Sequence, residues 1–246
     1  MMPVVNRTTT LWTRNNILTL NQTTSTAVTR HTVADLNLGK SPQSVVFSSS
    51  PPQSTAPFPM PSLLHPLQKG QKTALAPPGS LPKLTIGVGW SITNPRCDVD
   101  VSAFLLASNN RVPNDDWFVF YGQNQSPDRS VFFHGEPTGD DRQRIDLDLS
   151  RLDARICKIA LVLTIHEALE QQLNFSMIRD AYIRILSSND QRELMSYQMT
   201  DYYSNITSMT IGEIYLHNHQ WKFNPVGNGV SQDLAGQCAI YGVEIS

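Results

Sequence analysis

The 246 residues are 40% hydrophobic and 16% charged, enough apolar content for one large domain or two small ones. A net charge of −2 and a pI near 6.3 exclude a nucleic-acid-binding surface as the main role. The sequence has no polybasic run to anchor it electrostatically, no apolar stretch long enough for direct membrane insertion, and no signal-peptide order at the N-terminus. A cytoplasmic location is therefore expected. Cys97, Cys157 and Cys238 lie far apart without ligand or redox spacing, which reads as reduced thiols.

In chain order, residues 1–61 form a low-complexity tail rich in Thr, Ser, Asn and Pro, expected to be disordered. Ser48 to Pro52 and Ala56 to Pro59 cannot hold a regular ladder, and a short strand at Ile17–Leu20 would have no evident partner. Met60, just before the domain, is an alternative start. Residues 62–246 read as one all-β domain, an antiparallel β-sandwich with one or two short helices. Strands are expected at 84–90, 99–106, 117–121, 130–133, 144–149, 158–166, 181–186, 194–199, 208–216 and 221–225, with a closing strand at 239–245. Arg144 to Leu149 alternates charged and apolar residues, so Asp146 and Asp148 take the wet face. Lys158 to His166 is apolar on both faces and belongs at the centre of a sheet. Asn218-His219 marks a hairpin and Gly227-Asn228-Gly229 a turn. The stretch from Glu167 to Asp180 holds a helical turn or two, with Asn174 or Ser176 as cap.

Eleven of the 21 acidic residues fall between Asp98 and Asp153, several of them paired. Two carboxylates about 4 Å apart repel by roughly 4 kcal/mol at an effective dielectric near 20, so close packing calls for a raised pKa, solvent, or a cation. Asp98 and Asp100 alternate with Val99 and Val101, which puts both carboxylates on one side of a strand. The pair is not an EF-hand, since Ala103 and Asn109 stand where the turn Gly and the bidentate Glu belong. Asn124 to Arg129 and Gly135 to Asp141 are acidic turns. Together these loops offer oxygens suited to calcium, or to magnesium with more water; the alternative is ordinary solvated turn aspartates. His217 and His219 read as surface residues rather than a zinc pair, Asp115 and Asp116 as a solvated loop, and no nucleophile motif accompanies His166-Glu167.

Leu84-Thr85-Ile86-Gly87-Val88-Gly89-Trp90, followed by Asp98-Val99-Asp100-Val101-Ser102-Ala103-Phe104, resembles the TerD family of tellurium-resistance and stress-response proteins. Phe118 to Tyr121 before Ser126-Pro127-Asp128, Gly139-Asp140-Asp141, Val162 to Glu167, Asn174-Phe175, Ala181 to Arg184, Gly212 to Tyr215 and Tyr241-Gly242-Val243 continue the resemblance from about Leu63 to the C-terminus. It implies a β-sandwich that binds calcium through acidic loops, without enzymatic activity. It also implies work in tellurite resistance or general stress response beside other tellurium-resistance proteins, including a membrane partner. The metal ligands carried over are Asp98, Asp100, Asp128, Asp140 and Asp141, with Asn124, Ser126 and Glu167 in support. Arg129 and Arg142 depart from the family pattern, where a Gly and an acid are usual, so one calcium site is expected rather than two. The alternatives are a metal-dependent phosphoester hydrolase and a calcium-dependent lipid-docking module.

Overall fold

The strands follow from alternation. β2 (Lys83–Ile92) points Leu84, Ile86 and Val88 inward, and Ile86 stands in register between Ile145 of β6 (Gln143–Asp148) and Ile185 of β8 (Ile178–Ser187). All three isoleucines are fully buried, each worth about 1.5–3 kcal/mol of transfer free energy. The computed structural model describes residues 55–244, so the Ile17–Leu20 strand and most of the expected tail lie outside the described residues.

Two antiparallel sheets form the sandwich. The five-stranded one runs β5 (Val131–His134), β6, β2, β8, β9 (Glu193–Gln198). The six-stranded one runs β1 (Thr73–Ala74), β11 (Gln220–Val230), β10 (Ser208–His217), β7 (Lys158–Ile165), β3 (Val99–Leu106), β4 (Phe118–Val119). β7 is central as its two apolar faces require, buried from Ile159 to Ile165. Asn218 and His219 both take positive φ, 50° and 60°, and close the β10–β11 hairpin as an I′-like pair. Asn174 caps a 3-10 turn at Phe175–Met177, accepting from the Ser176 amide at 3.0 Å, after a one-turn helix α1 (Ala168–Gln171).

Three expectations are corrected. The closing strand is a helix, α2 (Leu234–Tyr241): Asp233 accepts from the Gly236 amide at 2.8 Å at its start, and Gly242, at φ 80°, ends it. α2 lies on the outer side of the six-stranded sheet. Its Tyr241 ring is 4.5 Å from that of Phe104, and Gln237 donates to Ser208 at 2.8 Å. The turn at 227–229 is part of β11, with Gly227 at φ 57° where the β10–β11 register slips opposite Thr210–Gly212. The 117–121 strand shrinks to β4, because the Gln123 side chain bonds the carbonyls of Asp115, Asp116 and Phe118 and draws the chain into a turn.

Candidate functional site

β3 carries Asp100 between two buried valines, opposite Thr164 in β7. Where β7 ends, the His166 amide donates to the Asp98 carbonyl at 2.8 Å. Glu167, at φ 47°, turns the chain into α1, which adds Leu169 and Glu170. The start of α2 supplies Asp233, Leu234 and Ala235 from the other side. These residues enclose a cavity of about 30 Å³ with four carboxylates on its walls, room for an ion or a water.

Desolvation raises the Asp100 pKa above the usual carboxylate range, opposed by a 2.7 Å bond from Gln143 Nε2 and by His166. Gln143 cannot swing away, because its Oε1 accepts the Val101 amide at 2.7 Å. Burial lowers the His166 pKa against the pull of Glu167 and Asp100. The His166 side chain is only 9% exposed; Nε2 lies 3.3 Å from Glu167 Oε1, and Nδ1 is buried without a hydrogen-bond partner. Glu167 Oε2 accepts from Gln171 at 2.8 Å. The Tyr121 phenol is pushed well above its ordinary range by burial and then by Asp100 and Asp98. Asp100 is thus a desolvated carboxylate on a wall shared with Glu167, Glu170 and Asp233, a setting that favours a cation.

The other sequence-derived ligands lie elsewhere. Asp128 Oδ1 accepts from Ser126 Oγ (2.7 Å), Ser130 Oγ (2.7 Å) and the Ser130 amide (2.9 Å), while Oδ2 takes the Asp153 amide at 2.8 Å. Ser126 is buried and its Oγ accepts the Ser130 and Val131 amides. Asn124 is exposed and gives its carbonyl to the Phe133 amide. Asp141 is buried in a bidentate pair with Arg184, 2.9 and 3.0 Å, and exposed Asp140 lies 3.9 Å from the same guanidinium. The eight residues therefore do not converge. Asp100 and Glu167 line the pocket with His166, Glu170 and Asp233, and Asp98 adjoins it through its carbonyl on the His166 amide. Among the described residues, no three His, Cys, Asp or Glu side chains stand close enough, as placed, to hold a metal ion.

Residues 63–241 match the model of the TerD domain. The chain belongs to the TerD family. It is 37% identical over 189 residues to tellurium resistance protein TerD of Serratia marcescens, covering 73% of this chain and 98% of that protein. General stress protein 16U of Bacillus subtilis is 35% identical over 191 residues, covering 73% and 97%. The crystal structure of the protein of unknown function SAV2460 shares the fold, with a TM-score of 0.54 at 20% identity, covering 67% of this chain and 98% of that one.

In this TerD domain the two glycines of β2 make room for side chains above the sheet. A Cβ on Gly87 would meet the Asp141 carboxylate at 2.3–2.5 Å, and one on Gly89 would meet the Tyr182 ring and hydroxyl at 2.4–2.5 Å. Tyr182 donates to the Asp140 carbonyl and, at 3.2 Å, to Asp141. Arg184 supplies the cation that a buried Asp141 carboxylate needs nearby. Arg142 pairs with no acid among the described residues: its Nε donates to the Trp90 carbonyl and its guanidinium lies 4.4 Å from the Phe58 ring. Arg129, at φ 58°, is exposed on its turn. No helix of the described residues is long and apolar enough to cross a membrane.

Proposed function

We propose that this TerD domain is a non-enzymatic, calcium-binding interaction module serving tellurite resistance or general stress response, in the cytoplasm, with other tellurium-resistance proteins as partners. The role rests on relatives that carry those names. The observation that carries the calcium reading is Asp100: a desolvated carboxylate facing a small cavity, beside Glu167, Glu170, Asp233 and a histidine with an unpartnered nitrogen.

The fit is one of charge and space. Asp100 sits on β3 with Asp98 just ahead of the strand, and Glu167, Glu170 and Asp233 would turn inward from their present contacts to supply further oxygens, which calcium takes in flexible sets of six to eight. Asp128 and Asp141 lie outside this pocket, Asp128 held by Ser126, Ser130 and the Asp153 amide and Asp141 paired with Arg184. Bound calcium would supply the positive charge that Asp100 lacks. Gln143 orients the carboxylate.

Calorimetric calcium titration of the wild type, Asp100→Asn and Asp128→Ala tests this. Binding lost in Asp100→Asn and kept in Asp128→Ala is expected. Binding lost in Asp128→Ala and kept in Asp100→Asn would move the site to the turns and overturn the reading.

A further inference from the structure

Just ahead of the family-matched region, Phe58 of the 55–61 segment lies against the five-stranded sheet at the end of β2. Pro57, Pro59 and Pro61 have no amide proton, so between Pro57 and Pro61 only Phe58 and Met60 carry amide donors. The Phe58 amide donates to Ser91 Oγ at 3.0 Å, and its ring lies 4.4 Å from the Arg142 guanidinium. Arg142 is held for this contact: its amide bonds the Val88 carbonyl at 2.9 Å, its Nε bonds the Trp90 carbonyl, and the Trp90 ring is 5.8 Å from its guanidinium. Burial lowers the Arg142 pKa, so the cation is partly stripped of water, where an aromatic face counts for more.

The chain that follows is tied as well. Leu64 and His65 donate to Glu193 Oε1 at 2.9 and 2.8 Å, and Pro66 bridges Ser196 in parallel on the edge of β9. The segment 56–59 is therefore held beside Ser91 and Arg142 by the chain that follows it, and tethering of this kind gives millimolar effective concentration. Fifty-four residues precede Thr55.

We propose that Trp90, Ser91 and Arg142 form a docking groove for a proline-flanked aromatic segment, which this chain fills in cis with its own residues 56–59. The groove recognises one amide between prolines through Ser91 and one ring through Arg142. While Phe58 is seated, the groove is closed to another segment of the same chemistry.

The test adds a labelled synthetic peptide of residues 55–62 to the full-length chain and follows binding by NMR up to millimolar concentration. The Phe58→Ala chain is expected to bind the peptide. The wild type, its groove occupied, should bind at least about tenfold more weakly, as should Phe58→Ala/Arg142→Ala, which lacks the cation. Equal binding by wild type and Phe58→Ala, undiminished binding by the double variant, or no binding by Phe58→Ala would each overturn the proposal. On the chain with its own Phe58, Arg142→Ala should speed hydrogen exchange at the Phe58 amide about tenfold. Unchanged protection there would show that Arg142 does not hold the segment.

Discussion

Replacing Gly87 by Ala adds one methyl group to the most confined point of the outer sheet face. Its Cβ would lie 2.3–2.5 Å from the Asp141 carboxylate, which is fixed from the far side by Arg184 and Tyr182. The backbone of β2 cannot retreat, since Gly87 is paired with Arg144 on one side and Arg184 on the other. Asp141 must leave, and Arg184, with a side chain only 15% exposed, loses its bidentate partner. Overpacking costs about 1–3 kcal/mol and breaking a buried pair about 3–5 kcal/mol, so a loss of about 3–4 kcal/mol is expected in urea unfolding. Asp141→Ala should cost a similar amount by orphaning the same guanidinium. The two losses share a cause, so Gly87→Ala/Asp141→Ala should be little worse than Asp141→Ala alone, with a coupling energy of about 2–3 kcal/mol. Single losses that simply add in the double variant would refute the reasoning.

Asp128→Ala removes an acceptor of four hydrogen bonds and should cost about 2–4 kcal/mol in chemical denaturation without weakening calcium binding. Asp100→Asn keeps an oxygen for Gln143 while removing a desolvated charge; without calcium its thermal midpoint should rise above that of the wild type, and a fall would show that the charge is not strained there. Burial works to raise the Asp146 pKa but is outweighed by bonds from His134, Arg144 and Thr85, which leave it lowered. That stabilisation is present above the unfolded carboxylate pKa, about 3.9, and is lost as pH falls through the folded value. The midpoint difference between wild type and His134→Ala should therefore be larger at pH 5 than at pH 3, and a difference unchanged at pH 3 would remove Asp146 as the cause.

The sandwich could be read from the sequence because strand periodicity is local. β3 begins and ends at Val99 and Leu106 as alternation places it, and β7 is central because both its faces are apolar. The C-terminal helix was missed although its signals are present, an Asp233 cap and a terminal Gly242. The run from Ala239 to Val243 carries residues at home in either element, and only packing on Phe104 decides between them. Asp100 falls on β3 as alternation places it, whereas Asp98 stands one residue ahead of the strand. Asp128 and Asp141 looked equally available, because the groups that saturate them, the Asp153 amide and Arg184, arrive from segments 25 and 43 residues away. Gln143 and Asp233 join the pocket only through topology, from the facing sheet and from α2, so no spacing rule could have found them.

The central claim is that the Asp100 pocket takes calcium, and the thermal midpoint with calcium against chelator tests it most directly. At free calcium 100 times the dissociation constant the wild type should gain about 2.7 kcal/mol, which for a domain of this size raises the midpoint by about 5–10 °C. Asp100→Asn should show no rise. A wild-type midpoint indifferent to millimolar calcium, or a rise undiminished in Asp100→Asn, would contradict the account.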